Sequence, residues 1–233
     1  MLSFTPSQKL ENELRILQGE LVEKYKDIES LLPEEAKYLH RFALISNVGA
    51  STRIENAVLT DREVEWVDTI LQKDSKTTAF EENKIYILDK LRKDQERSVE
   101  EVVGCRQILS TVYLQAKELF PLTEAIIRGL HHDLLRYYPR ATIFAGGYKT
   151  NPNRVLFVNH QTGEQRVVLD PSPPGIITST AMADLVNWYN ENIRDNPWPI
   201  LVATEFVFRF LAIHPFQDGN GRLGRALFIL TLL

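Results

Sequence analysis

The spacing of apolar residues constrains this chain most. Leu10, Leu14, Leu17 and Leu21 fall four, three and four apart, which places them on one face of a helix. The same period returns at Val64, Val67, Ile70 and Leu71, then through Val102, Cys105, Ile108, Leu109, Val112 and Leu119. Start signals accompany it. Pro33 followed by Glu34 and Glu35 suits a first helical turn, with proline at N1 and acids at the positive end of the dipole. Thr60 with Glu63, and Ser98 with Glu101, fit capping boxes. Pro121 interrupts the long stretch, and a further helix is expected to reach about Arg136. Helix is expected again over about 178–194 and 199–212, and from Gly221 to the end.

Between Tyr137 and Gly175 the helical period breaks. Two β-prone runs, Val155-Leu156-Phe157-Val158 and Arg166-Val167-Val168-Leu169, flank the turn formers Asn159-His160-Gln161-Thr162-Gly163. The expected fold class is therefore all-α: a mostly helical body carrying one β-hairpin at about 154–169. With 44% hydrophobic residues in 233, the chain can fill a core. A net charge of −4 argues against binding nucleic acid or anionic membrane by bulk charge. Cys105 is the single cysteine, which excludes an internal disulfide and a cysteine zinc cluster. The start has no signal-peptide pattern, and no apolar run reaches the roughly 18 residues that span a bilayer. A soluble, cytoplasmic protein is expected. The last turn, Leu227 to Leu233, has no polar or glycine cap, so truncation within a longer protein is expected.

Chemistry concentrates in His214-Pro215-Phe216-Gln217-Asp218-Gly219-Asn220-Gly221-Arg222-Leu223-Gly224-Arg225. Pro215 disfavours helical dihedrals at His214, so the preceding helix should end there and project the imidazole into a loop. The Gly219-Asn220-Gly221 turn lets backbone N–H groups converge, and the following helix points its positive end at the same spot. That is an anion site suited to phosphate, within reach of Arg222 and Arg225. Asp218 is placed to hold Mg²⁺ against phosphate oxygens, and His214 can take a proton from an attacking hydroxyl. Gly219-x-Gly221-x-x-Gly224 also matches a dinucleotide fingerprint, but no acidic residue follows it at the required distance. A Walker P-loop fails for want of Gly-Lys-Ser/Thr.

This segment resembles the signature of Fic-domain enzymes, His-Pro-Phe-x-Asp/Glu-Gly-Asn-Gly-Arg-x-x-Arg, at every defined position. Leu130-His131, Leu134-Leu135 and Gly147-Tyr148-Lys149 are similar to the family's lead-in to its flap, with Lys149 where arginine is commoner. The resemblance implies a Fic fold whose flap is the hairpin, with 1–97 an N-terminal helical region and 98–233 the catalytic core. It implies transfer of AMP from ATP to a Ser, Thr or Tyr hydroxyl of a target protein or of the chain itself. His214 would be the general base, Phe216 a buried anchor and Asp218 the Mg²⁺ ligand. Gly219, Asn220 and Gly221 would cradle the phosphates, with Leu223 and Gly224 in the same nucleotide-binding segment, and Arg222 and Arg225 would clamp the outer ones. Gly221 separates the chain from the related Doc-type kinases, which have lysine there. A homodimer agrees with the resemblance, and nucleic-acid binding is not expected within these residues.

Upstream, Ser51-Thr52-Arg53-Ile54-Glu55-Asn56 resembles the family's inhibitory pattern, Ser/Thr-x-x-x-Glu-Gly/Asn. By that resemblance Ser51, Glu55 and Asn56 are regulatory, and Glu55 pairs with Arg225 in competition with ATP. Two other functions stay open: removal of AMP from a modified protein, and a nucleotide-binding regulatory module with little turnover. His131, His132 and Asp133 are expected to be structural rather than metal-binding, and His160 to be solvated. Trp188, Tyr189, Trp198, Phe206, Phe208 and Phe210 are expected in the core.

Overall fold

The computed structural model describes residues 2–72, 79–91, 95–159 and 161–233. Among these the chain forms α1 (Gln8–Glu29), α2 (Pro33–Ile54), α3 (Asp61–Gln72), α4 (Ala79–Lys90), α5 (Glu96–Gln115) and α6 (Glu124–Leu135). After a 3-10 turn at Thr142–Phe144 come β1 (Val155–Val158), β2 (Gln165–Leu169), α7 (Ile176–Asn192), α8 (Pro199–Ile213) and α9 (Asn220–Leu232). The mostly helical body with one hairpin is as expected. β1 and β2 pair antiparallel with Val158 opposite Gln165 and Val155 opposite Leu169, and the register slips between Val155 and Leu156. His160 lies outside the described residues.

α5 runs through the middle, against α2, α6 and α9. Its apolar residues Val99, Val102, Ile108 and Val112 are almost fully buried, joined by Ile127 and Leu134 of α6, Phe206 and Phe210 of α8 and Leu223 of α9. Gly104 makes the α5–α6 contact possible, because a Cβ there would run into the Leu134 carbonyl. One core extends from Leu44 and Val48 of α2 to Leu227 of α9, and the division expected at 97/98 falls inside α5. Among the described residues, no helix is long and apolar enough to cross a membrane.

Two local expectations need correction, and the leucine face of α1, formed as expected, is left largely uncovered. Ser98 and Glu101 do not cap a helix, because α5 begins earlier, at Glu96; the Ser98 hydroxyl instead accepts from the Val58 N–H at 3.1 Å. On α1 only Leu14 is buried, while Leu17 and Leu21 stay 38% and 51% exposed, so the leucine face is formed without being covered. Phe208 is 71% exposed although Phe206 and Phe210 flank it in the core, since alternate residues of a helix face different directions. By contrast, Thr60 caps α3 as expected: its N–H and hydroxyl donate to Glu63, and its Oγ1 accepts from the Glu63 N–H. Pro33 stands at the first turn of α2.

Candidate active site

α8 stops where Pro215 requires it to stop. His214 is its C-cap in the left-handed region (φ 50°, ψ 60°), and its N–H closes on Phe210 O. The imidazole leaves the helix here, with Nδ1 3.3 Å from Leu211 O. A carbonyl only accepts, so Nδ1 carries the proton and Nε2 keeps its lone pair. Burial lowers the His214 pKa below the usual range; Lys149 lowers it further, while the Leu211 carbonyl and Glu55 act the other way.

The loop is fastened from beneath. Phe216 is fully buried, stacked on His131 at 3.7 Å between ring centroids and flanked by Tyr148 and Phe210. Asn220 is 2% exposed and brackets Phe216, accepting from its N–H at 2.9 Å and donating to its carbonyl at 2.7 Å. His131 is fully buried, with a role the sequence foresaw only as structural. Its Nδ1 accepts from the Gly146 N–H and its Nε2 donates to Asp218 O, both at 2.9 Å. Burial drives its pKa down to about 4, which suits a neutral imidazole with one donor and one acceptor. His132, its neighbour, points outward.

Gly219 turns the chain into α9 with φ 78°, a conformation that favours glycine. The first helical bond is Leu223 N–H to Gly219 O, so the N–H groups of Asn220, Gly221 and Arg222 precede it and face outward along the axis. Leu223 itself is fully buried and its N–H is already used, so it offers a ligand neither group. Gly224 serves packing, since a Cβ there would lie 2.9 Å from Leu211 Cδ2 on α8.

The two arginines are not side by side as the sequence spacing suggested. Arg222 is 3% exposed, with Nη2 donating to Asp218 Oδ1 at 3.1 Å and Nη1 3.8 Å from Glu101. Its Nε and Nη1 are buried without a hydrogen-bond partner among the described residues. The Glu101 contact is not legible in the sequence, because the two residues are joined only by the packing of α5 on α9. The Asp218 side chain is 40% exposed, and its Oδ1 also accepts from the Gly219 N–H.

Arg225 turns toward α2. Its Nε donates to Ser51 Oγ at 2.9 Å, and its Nη2 donates to Ser51 O at 3.0 Å and Glu55 Oε1 at 2.7 Å. Ser51 and Glu55 are one turn apart on the same face of α2. Asn56 explains why the helix stops there: it adopts φ 67°, with its N–H on Arg53 O and the Ala57 N–H on Thr52 O. That is a Schellman ending, in which asparagine substitutes for glycine. Gly221 completes the contact, because any Cβ there would run into the Glu55 carboxylate.

A family model for the Fic/DOC family matches residues 121–232. The chain carries a Fic/DOC domain. That domain begins just before α6 and ends within α9, so it takes in the hairpin and the whole His214–Arg225 loop, while α1 to α5 lie upstream. A Fido domain-containing protein of Dictyostelium discoideum is 38% identical over 69 residues, covering 29% of this chain and 46% of that relative's length. A Fic domain containing signaling protein from Bacteroides thetaiotaomicron superposes with a TM-score of 0.66 at 27% identity, covering 92% of this chain and 71% of that one. A Fic family protein from Desulfovibrio desulfuricans gives 0.71 at 24% identity, covering all of this chain and 59% of that one, and supports the fold alone.

Proposed function

We propose that this Fic domain transfers AMP from ATP to a Ser, Thr or Tyr hydroxyl of a protein, and that Glu55 restrains it. The family is generally linked to nucleotide transfer to proteins. The observation that carries the proposal is the opening turn of α9: three N–H groups ahead of the first helical bond, and Arg222 Nε and Nη1 buried without a hydrogen-bond partner among the described residues. Donors of this kind six to eight residues after His214 suit a polyphosphate.

In this function His214 Nε2 accepts the target hydroxyl's proton as the oxygen attacks the α-phosphorus. The bond from that phosphorus to the α,β-bridging oxygen breaks, and pyrophosphate leaves with the electron pair. Phe216, Asn220 and His131 hold the loop so that little reorganisation accompanies the attack. Asp218 fits a magnesium ion shared with the substrate, being an exposed oxygen ligand. No cluster of three His, Cys, Asp or Glu side chains able to hold a metal is present among the described residues. Magnesium bound there supplies charge neutralisation on the phosphates. Arg225 is the cation that would meet the outer phosphates, and Glu55 and Ser51 occupy it instead; Ser51, Glu55 and Asn56 are thus the regulatory set.

Incubation of Glu55→Gly with Mg²⁺, labelled ATP and cell lysate, followed by mass spectrometry, tests this. Label on a hydroxyl side chain, stronger than with the parent and absent with Glu55→Gly/His214→Ala, is expected. ATP binding by calorimetry with no transfer from Glu55→Gly would favour a nucleotide-binding module. Release of AMP from a premodified protein would favour the reverse reaction.

A further inference from the structure

Four consecutive carbonyls of the His214 loop are captured by two residues that lie just before the hairpin. The Lys149 ammonium donates to Ile213 O at 3.0 Å, and the Lys149 N–H to Pro215 O at 2.8 Å. The Asn153 amide donates to His214 O at 3.3 Å and to Phe216 O at 2.9 Å. Lys149 and Asn153 are themselves joined, Nζ to Oδ1, at 2.9 Å. Lys149 is 2% exposed, and a lysine so deeply placed needs every such acceptor. The loop has no ladder of its own here: α8 has ended, α9 has not begun, and Pro215 contributes no N–H. The left-handed dihedrals at His214 are unfavourable for a residue with a Cβ and need outside support. Phe216 fixes the far side of the loop; nothing on α8 or α9 other than Asn220, which holds Phe216 O, reaches these carbonyls.

We propose that Lys149 and Asn153 form a clamp that sets the direction of the His214 imidazole and couples it to the hairpin, whose first strand starts two residues after Asn153. Both are positioning residues and touch no substrate. The clamp serves the reaction proposed above and rests on His214 being its base. Asn153→Asp keeps the shape and the acceptor for Lys149 but removes both amide donors. Lys149→Met removes the two ammonium bonds and leaves the backbone one.

Hydrogen exchange over 211–220, together with transfer kinetics in the Glu55→Gly background, separates the possibilities. Asn153→Asp is expected to speed exchange of the loop amides about tenfold while α5 stays protected, and to lower kcat at least tenfold with KM for ATP within about twofold. Lys149→Met should give the same pattern, less strongly. Unchanged loop exchange with intact α5 would overturn the clamp. Protection lost everywhere, α5 included, together with kcat, would also overturn it, by showing a general structural role. Faster loop exchange in Asn153→Asp, where the Glu55→Gly parent itself transfers nothing, would sustain the clamp and sink the transfer function.

Discussion

The Glu55 carboxylate accepts a hydrogen bond from the Arg225 guanidinium at 2.7 Å, across a sequence separation of 170 residues. The pair sits beside Gly221, and the three positions are interlocked. With side chains 31% and 37% exposed, the ion pair contributes little through Coulomb attraction alone, on the order of 1 kcal/mol. Its weight lies in which cation it occupies.

Gly221→Ala places a methyl group against Glu55 and pushes the carboxylate off Arg225. The substitution is expected to cost about 1 kcal/mol in the parent and much less in Glu55→Gly. Chemical denaturation of the four species in a double-mutant cycle measures this coupling. Equal costs in both backgrounds would place the strain elsewhere.

Asp218→Asn keeps an oxygen for Arg222 and the Gly219 N–H but removes the negative charge. It is expected to change stability by about 1 kcal/mol or less, yet to lower transfer by roughly a hundredfold or more. Chelation of magnesium should abolish transfer without moving Tm. Differential scanning fluorimetry beside the transfer assay shows whether the two effects separate.

The pH dependence of transfer follows from His214. The imidazole acts as base only when neutral, so activity falls as pH drops through its folded pKa. Burial depresses that pKa, so the acidic limb should have its midpoint below the usual value of about 6.5. Glu55 acts in the opposite direction, so Glu55→Gly should move the limb lower still. A pH–rate profile with its acidic midpoint above 7 would exclude His214 as a base in this environment.

Cys105 is 1% exposed, and burial raises its thiol pKa to about 11. Thiolate is then scarce at neutral pH, and reagents have no route to the sulfur. Alkylation by iodoacetamide at pH 7.5 is expected to be at least about a hundredfold slower in the native protein than in denaturant. Mass spectrometry of timed samples reads the rate, and rapid native labelling would show that α5 opens locally.

Much of the helical body could be read from period and punctuation. Thr60 with Glu63 and Pro33 with its two glutamates mark ends that local chemistry alone decides. Ser98 with Glu101 carries an equally good local pattern, yet both lie inside α5, where Ser98 accepts from the Val58 N–H and Glu101 accepts from Arg97 one turn earlier. α1 shows the same limit from the other side: its leucine spacing dictates a helix but not that anything covers it.

The sequence by itself determined the composition of the site: an imidazole released before a proline, a carboxylate, a glycine turn and two arginines within twelve residues. Those features depend on backbone dihedrals and short-range spacing, which a local segment contains. Only the tertiary structure decided what each arginine does. Arg222 and Arg225 are three residues apart on one helix, yet the first is buried against Asp218 and Glu101 and the second is held by Ser51 and Glu55. Glu101 comes from α5, and Ser51 and Glu55 come from the end of α2, all brought to α9 by core packing. The Lys149–Asn153 clamp is likewise invisible in sequence, because a carbonyl has no residue identity and can be counted as held only when the chain is folded around it.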